Sequence, residues 1–264
     1  MSNIEQIKNE SINEFGSDAC QERYGKIAEQ GFWESEGILI NKYFQPASSV
    51  LDIGCGSGRT TIPLYERGFK AIGVDITPAM IDTAKKIAAS KKLVIDYRVG
   101  DATKLNFPDN FFDNAIFANN GWAQIPGKEN RQKALGEIYR VMKPGGYFIL
   151  TAHQRYYTGA YLFFWIKEWI KFCILKPLGF KIQEIDFGDL FFKRNYPNKE
   201  IKQRQFIHLT SKKEVEKQIK NVGFNIKLRQ TMGELSKRDA GLMRGSLSKK
   251  FNSYKSPIFY VCLK

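Results

Sequence analysis

Residues 50–58 of this chain read Val50-Leu51-Asp52-Ile53-Gly54-Cys55-Gly56-Ser57-Gly58, and this stretch decides the fold. The apolar run before the glycines is typical of the end of a buried strand, and residues 59–67 resume a helical pattern. Glycine at every second position supplies a tight turn and removes the Cβ atoms that would hold a ligand away from the backbone. The stretch therefore predicts a strand, a glycine turn and a helix that together line a ligand site.

Strand and helix patterns alternate on the carboxyl-terminal side of this loop. Further strands are predicted at 71–74, 93–99, 114–118, 146–152, 224–230 and 258–263, and helices at 78–89, 130–141 and 211–221. Residues 3–43 also carry helical patterns. Alternation of this kind predicts an α/β fold with a mostly parallel sheet covered by helices on both faces.

Acidic residues follow two of the predicted strands. Asp75 ends the second strand, 21 residues after Gly54, where a carboxylate can accept hydrogen bonds from both ribose hydroxyls of a nucleoside, and Ile76 is placed to pack against its base. A turn role for Asp75 ahead of a helix start is the structural alternative. Asp101 and Ala102 follow the third strand.

The glycine spacing here is G-x-G-x-G, whereas the dinucleotide-binding loop has G-x-G-x-x-G with its third glycine inside the helix. This loop, Asp75, Asp101, the run at 105–113 and the Lys143-Pro144-Gly145-Gly146 turn occur in the order found in the class I S-adenosylmethionine-dependent methyltransferases. Over residues 46–152 the chain closely resembles that family, with a core like methyltransferase types 11 and 25. The resemblance implies a Rossmann-like, doubly wound, seven-stranded sheet with an antiparallel last strand inserted between the fifth and sixth.

The same resemblance implies S-adenosyl-L-methionine as cofactor and gives roles to several residues. Asp52 would face the ammonium group of the cofactor, and the backbone of Gly54, Cys55, Gly56 and Gly58 would meet its carboxylate. Asp101, with Ala102 beside it, would meet the exocyclic amine of adenine. Arg59 would either add positive charge near the carboxylate or lie on the surface.

The tip of the fourth strand and the residues past the fifth supply candidates for catalysis. Asn119 and Asn120 are placed to orient a methyl acceptor, Asn119 also to contact the cofactor, and Trp122 to wall the substrate pocket. This tip lacks the Asn/Asp-Pro-Pro-Tyr/Phe signature of enzymes that methylate adenine, cytosine or glutamine nitrogen. His153 is the best-placed general base, if the acceptor must lose a proton. A structural role stays open for each of these residues.

Residues 153–205 are predicted to be an inserted cap that selects the substrate. Tyr156 and Tyr157 are candidate pocket residues, and His208, just after the insertion, is either structural or substrate-facing. Residues 161–175 form an aromatic helical pattern too interrupted by charge to span a bilayer. Two interpretations stay open for it: a buried helix that roofs an apolar pocket, or a helix lying on a membrane surface.

Charge is distributed unevenly along the chain. Residues 1–150 contain 18 basic and 18 acidic side chains, whereas residues 151–264 contain 23 basic and 9 acidic ones and therefore carry the whole net charge of +14. Such asymmetry fits a surface for an anionic partner, or a lysine-rich solvated face. Four scattered cysteines and an amino terminus without signal-peptide character predict a cytoplasmic protein without disulfides, and no spacing suggests a metal site.

We therefore expect a single methyltransferase domain over 1–264, with amino-terminal helices at 1–45, the cofactor-binding core at 46–152, the inserted cap at 153–205 and the rest of the sheet at 206–264. The leading functional prediction is methyl transfer to a small-molecule or lipid-like acceptor, with peripheral membrane contact open. The alternatives are a methyltransferase that uses its basic carboxyl-terminal half to bind RNA or another nucleic acid, and a non-catalytic S-adenosylmethionine-binding protein.

Overall fold

A seven-stranded sheet forms the centre of the molecule, in a computed structural model that describes residues 3–192, 204–239 and 257–264. The strands are β1 Ser49–Ile53, β2 Lys70–Asp75, β3 Asp96–Val99, β4 Asn114–Phe117, β5 Tyr147–Ala152, β6 Asp189–Phe192, β7 Gln205–His208, β8 Asn225–Thr231 and β9 Ile258–Leu263. The helices are α1 Asn3–Phe15, α2 Asp18–Ala28, α3 Glu34–Tyr43, α4 Thr61–Glu66, α5 Pro78–Ser90, α6 Lys128–Val141, α7 Ala160–Ile170, α8 Lys212–Asn221 and α9 Met232–Leu235.

The strand order in this sheet is β3-β2-β1-β4-β5-β9-β8. Strands β1 to β5 pair in parallel, and β9 runs antiparallel to both of its neighbours, β5 and β8. This arrangement confirms the predicted doubly wound α/β fold with an antiparallel last strand. Because the order reverses direction at β1 and β4, their carboxyl ends form the crevice in which open α/β sheets bind ligands.

Apolar side chains cover both faces of the sheet, because parallel strands in such folds are buried on both sides. On one face Leu135 and Ile138 of α6 and Val215 and Ile219 of α8 pack against the strands. On the other face the strands pack against α3, α4 and α9. The predicted core and the carboxyl-terminal part of the chain therefore contribute strands to one sheet, because β8 and β9 extend the sheet that contains β1.

Several predicted boundaries differ from the structure by one to three residues, and two of the differences have a clear local cause. The third strand begins at Asp96 rather than at 93, because Lys92 adopts φ 59° and the amide of Leu93 donates to the carbonyl of Ala88, which ends α5. Helix α4 begins at Thr61 rather than at 59, because the preceding residues complete the glycine turn.

The insertion contains α7, a π-helical turn at Lys171–Leu175 and an antiparallel hairpin of β6 and β7. It extends past the predicted limit of 205, since Thr210 bridges back to Gln154. Within the described residues, no helix is both long enough and apolar enough to cross a membrane.

Candidate active site

A cavity of about 340 Å³ opens at the carboxyl ends of β1, β2, β3 and β4. Its walls come from the residues that directly follow each of these strands, together with α1, α2 and the segment that leads into α6. The position is the crevice that the strand order creates, and the volume is that of a small-molecule or cofactor site.

The cavity brings together most of the residues predicted to hold a cofactor. The residues from that prediction that line it are Gly54, Gly56, Asp75, Ile76, Asp101, Ala102 and Asn119. Asp52, Cys55 and Gly58 are absent from the lining, and each of them supports the loop from behind. The cofactor roles of all ten residues remain proposals.

Asp75 holds the glycine loop and faces the cavity at the same time. Its two carboxylate oxygens accept hydrogen bonds from the backbone amides of Gly56 at 2.9 Å and Thr77 at 2.8 Å. Burial raises the pKa of Asp75, and these backbone hydrogen bonds act in the opposite direction. Gly56 has φ 54°, and no atom lies within 4 Å of the position that a Cβ would take, so its bare backbone faces open space.

Gly58 and Cys55 serve packing rather than the cavity surface. A Cβ on Gly58, which has φ 87°, would lie 2.5 Å from the hydroxyl of Tyr97, so only glycine fits against that ring. The side chain of Cys55 is buried in a cluster with Ile81, Ala84 and Tyr97. Burial raises the pKa of the Cys55 thiol, which makes it an unreactive packing group.

Asp52 lies fully buried beneath the loop. One of its oxygens, Oδ2, accepts hydrogen bonds from the hydroxyls of Thr60 and Thr61, the second at 2.6 Å. The other oxygen, Oδ1, is buried without a hydrogen-bond partner among the described residues. Burial raises the pKa of Asp52 to about 6, against the lowering effect of the two hydroxyls.

Asp101 forms an ion pair with a lysine of the first helix, α1. The ammonium of Lys8 in α1 lies 2.7 Å from Asp101 Oδ2, and both side chains are partly exposed. Burial alone would raise the pKa of Asp101, but hydrogen bonds from Lys8 and from Thr103 lower it. The adenine-facing carboxylate implied by the resemblance therefore also fastens α1 over the site.

The amino-terminal helices, and not the insertion, cover the cavity. They contribute Glu5, Lys8, Ser11, Phe15 and Tyr24 to its lining, and the segment before and within α6 contributes Gln124, Ile125, Pro126, Asn130 and Lys133. The expectation that the 161–175 helix roofs this pocket is wrong, because that helix packs on the hairpin instead. Sequence reasoning missed the α1 residues because an amphipathic pattern shows which face is buried and not what lies beneath it.

Arg59 follows neither of its two sequence interpretations. Its guanidinium is buried and donates to both carboxylate oxygens of Glu36 in α3, at 2.6 and 2.7 Å. It also lies over the ring of Trp33, 4.5 Å from the centroid, and donates to the carbonyl of Gly31. This ion pair fixes the third helix to the glycine loop.

Asn119 and Asn120 make a strained turn at the tip of β4. Both residues have positive φ, 49° and 60°, which non-glycine residues rarely adopt and which is concentrated at functional sites. Asn119 lines the cavity. Asn120 lies behind it, with its amide nitrogen Nδ2 2.9 Å from His153 Nε2 and its backbone amide donating to Thr151.

His153 is buried, outside the cavity lining, and in contact with Asn120. Burial lowers its pKa to about 4, so the ring is neutral at physiological pH and Nε2 can accept from the Asn120 amide. The geometry therefore makes His153 a support for the β4 tip. Because His153 does not line the cavity, the structure does not support its predicted role as a general base.

We expect acid to destabilise the protein through His153. Because its native pKa of about 4 lies below the ordinary 6.5, the unfolded chain binds a proton between these values that the native chain does not. This residue's contribution to stability is complete above pH 6.5 and falls on acidification towards pH 4, by up to about 3 kcal/mol. Urea unfolding gives the free energy of unfolding, and between about pH 7.5 and about pH 5 this free energy should fall less for His153→Gln than for the natural protein. Equal losses in both proteins would contradict this assignment.

None of the four residues predicted for the substrate pocket lines this cavity. Trp122 is fully buried, and its indole nitrogen donates to the carbonyl of Arg131, so it supports the turn after β4 from within the core. Tyr156 and Tyr157 lie at the start of the insertion and are absent from the cavity lining. Tyr157 instead accepts a hydrogen bond from Arg155 and contacts Trp165.

His208 is part of a buried polar network and not of a substrate surface. Its ring nitrogens lie 2.7 Å from Asp189 Oδ1 and 2.8 Å from Glu214 Oε1. Arg155 and Arg131 reach the same glutamate, at 3.0 and 3.9 Å. Burial alone would raise the pKa of Glu214, but the contacts with His208 and the arginines lower it to about 2. The network joins the hairpin to α6 and α8.

Three residues in and beside this network have the composition of a metal site, although the sequence spacing predicted none. Ligand atoms of Asp186, Asp189 and His208 lie within 4.8 Å of one another. Protein groups occupy them: Arg131 donates to Asp186, and the amides of Ile185 and Asp186 donate to Asp189. The trio is accounted for by hydrogen bonds within the protein.

Comparison with known proteins agrees with this geometry. Residues 51–150 match the family model described as a methyltransferase domain. The chain is 32% identical over 165 residues to a demethylmenaquinone methyltransferase of Symbiobacterium thermophilum, covering 59% of this chain and 64% of the relative. It is 29% identical over 140 residues to phosphoethanolamine N-methyltransferase 3 of Arabidopsis thaliana, covering 50% and 28%. The chain thus spans less than two thirds of the length of either curated relative.

Among solved structures, an S-adenosylmethionine-dependent methyltransferase from Methanosarcina mazei superposes with a TM-score of 0.65, covering 86% of this chain and 96% of that one at 23% identity. At this identity the superposition supports the fold alone. The family match covers the glycine loop and the strands β2, β3 and β4 beside it. Residues 51–150 thus match a methyltransferase domain, and the sheet has the fold of an S-adenosylmethionine-dependent methyltransferase.

Proposed function

We propose that this protein transfers the methyl group of S-adenosylmethionine to a small-molecule or lipid-like acceptor. The observation that carries the proposal is the single cavity into which the glycine loop, Asp75, Asp101 and Asn119 all face. The glycine loop, Asp75 and Asp101 line one part of it, and the β4 tip and the segment before α6 line the other. A donor and an acceptor would therefore meet within one covered space.

The cavity fits the cofactor of the family in shape and charge. Bare backbone at Gly56 leaves room for close approach, and Oδ1 of Asp52 lacks a partner beneath the loop. Carboxylates of Glu5, Asp75 and Asp101 outnumber the two lysines in the lining, which suits a ligand that carries a sulfonium and an ammonium. When bound, S-adenosylmethionine supplies a methyl group already activated by positively charged sulfur.

The residues of the chain then have positioning roles. When the cofactor is bound, Asp75 would accept hydrogen bonds from the ribose hydroxyls, Ile76 and Ala102 would flank the base, and the backbone of Gly54 and Gly56 would lie against the methionine part. Helix α1, held by the Lys8–Asp101 ion pair, lines one side of the cavity and would shield a bound cofactor there from water. Alignment of the acceptor by Asn119, supported by Asn120 and His153 behind it, supplies most of what an in-line displacement requires from the protein.

A small acceptor is favoured by the covered site and by the relatives. The names of the two curated relatives specify demethylmenaquinone and phosphoethanolamine as acceptors, both small molecules. Apolar side chains such as Phe15, Ile125 and Pro126 line part of the cavity, which suits an acceptor with apolar surface. We also propose a cytoplasmic location, supported by four free cysteines of which three are buried.

A nucleic-acid acceptor is the second candidate, and one observation favours it: the whole net charge of +14 belongs to residues 151–264. Against it, α1 lines part of the cavity and its Lys8 is paired with Asp101, so a nucleic-acid base would have to share the site with this helix. Steep loss of heparin retention with salt would favour this candidate. A protein that binds the cofactor and transfers nothing is the remaining possibility.

A methyl-transfer screen tests these candidates together. The protein is incubated with S-adenosylmethionine labelled in its methyl group and with separate small-molecule, lipid and RNA fractions of cells, and labelled products are identified by mass spectrometry. We expect label in the small-molecule or lipid fraction, because the site is covered. Label in RNA alone would establish the second candidate. Cofactor binding by calorimetry without transfer to any fraction would contradict enzymatic function.

A further inference from the structure

Helix α7 turns its apolar side chains outward. Eight large apolar residues on and just after it are between 41% and 76% exposed: Leu162, Phe163, Ile166, Trp169, Ile170, Ile174, Leu178 and Phe180. The first six recur at helical spacing along one side, and we call the eight together the α7 apolar face. Contiguous exposed apolar side chains on a folded protein mark an interaction surface.

The opposite side of the helix shows that this orientation is imposed by the fold. Trp165 is buried against Ala123, Ile207 and Leu209. The charged residues Glu168 and Lys171 also lie on the inner side, where the lysine ammonium contacts Glu184 and lies 3.6 Å from Glu168. An ordinary surface helix exposes a polar side to water, whereas α7 exposes a side rich in large apolar residues.

Basic residues accompany the α7 apolar face. Lys167 lies within it and Lys181 follows Phe180, and both are exposed. The acidic residues of this segment, Glu168 and Glu184, are partly buried and face Lys171. Aromatic and aliphatic side chains bordered by lysine are typical of a surface that lies at a bilayer interface and meets anionic headgroups.

We infer that the α7 apolar face binds an anionic membrane surface, with its side chains inserted among the acyl chains and Lys167 and Lys181 at the headgroups. A second copy of the chain fits this face less well, because a two-fold contact would bring its lysines together without acidic partners. Partner proteins bind through surfaces in which lysine is depleted.

The location of this face relates the membrane to the cavity. Through Trp165, α7 packs on Ala123, which belongs to the helical turn Gly121–Gln124. Gly121 and Gln124 of the same turn line the cavity. A membrane-bound orientation would therefore hold the acceptor end of the cavity beside the lipid, although this surface role does not depend on methyl transfer.

Vesicle sedimentation tests the inference. The full chain is mixed with vesicles of phosphatidylcholine alone or with added phosphatidylglycerol, and compared with the double variant Phe163→Glu/Trp169→Glu. Val94→Glu is the matched control, because Val94 is 87% exposed and lies outside the α7 apolar face. We expect binding to the anionic vesicles, a loss of at least tenfold in the double variant, and no change in the control. Lys167→Glu/Lys181→Glu should reduce binding to the anionic vesicles specifically.

Cofactor affinity and thermal unfolding check that each variant folds. Absence of binding by the natural protein to anionic vesicles would overturn the inference, as would equal binding by the double variant. Light scattering tests the alternative that a second copy of the chain covers this face. A natural dimer that becomes a monomer in Phe163→Glu/Trp169→Glu would assign the face to self-association and overturn the membrane role.

Discussion

Replacing Asp75 with alanine is expected to weaken S-adenosylmethionine binding by about a hundredfold or more. A hydrogen bond to a charged acceptor contributes about 1.5–3 kcal/mol, and the proposed contacts with two ribose hydroxyls are lost together. Each tenfold change in affinity corresponds to about 1.4 kcal/mol. The same carboxylate accepts from the Gly56 amide at 2.9 Å, so its removal also loosens the glycine loop.

Titration calorimetry with S-adenosylmethionine measures this effect without requiring an acceptor. Asp82→Ala is the matched control, since it removes the same type of side chain from an exposed position on α5. Thermal unfolding shows whether the Asp75 variant remains folded. An unchanged dissociation constant in folded Asp75→Ala would remove Asp75 from the cofactor site.

Replacing Arg59 with alanine is expected to lower the free energy of unfolding by about 3–5 kcal/mol, because it leaves the buried carboxylate of Glu36 without its cation. The stacking of the guanidinium on Trp33 is lost as well. Total stability of an ordinary domain is about 5–15 kcal/mol, so this single change removes a large fraction of it.

Arg98→Ala is the control, because Arg98 makes a comparable ion pair with Asp96 in which both side chains are nearly half exposed. An exposed pair contributes about 0–1 kcal/mol. Urea unfolding of both variants gives the comparison, and Arg59→Lys, which keeps the charge and loses the two-point contact, should lie between them. Equal costs for Arg59→Ala and Arg98→Ala would show that burial of the first pair has no energetic consequence.

Local features of the sequence were sufficient for the sheet and for the half of the site that follows its strands. Gly54, Asp75 and Asp101 each lie at the carboxyl end of a strand or within two residues of it, and parallel strands place such residues at one edge of the sheet. Their convergence could therefore be predicted from spacing alone. The boundary errors at 93 and 59 arose where a helix end or a glycine turn used residues that also suit the neighbouring element.

The other half of the site depends on contacts between distant segments. Lys8 meets Asp101 across 93 positions of sequence, and Arg59 meets Glu36 across 23. No local pattern records either pair, because a lysine or arginine on an amphipathic helix has the same spacing whether it faces solvent or a buried carboxylate. The same reason explains His208, whose partners Asp189 and Glu214 are set by the hairpin and by α8.

The sequence by itself indicated an α/β sheet, a glycine loop and acidic residues at the strand ends through periodicity and glycine spacing, and it indicated a methyltransferase core through its resemblance to a known family. Only the tertiary structure decided that α1 covers the cavity, that His153 supports the β4 tip, and that α7 presents its apolar side to the outside. Those outcomes depend on which surfaces pack together, and burial of one helix face against a distant segment is a property of the whole chain.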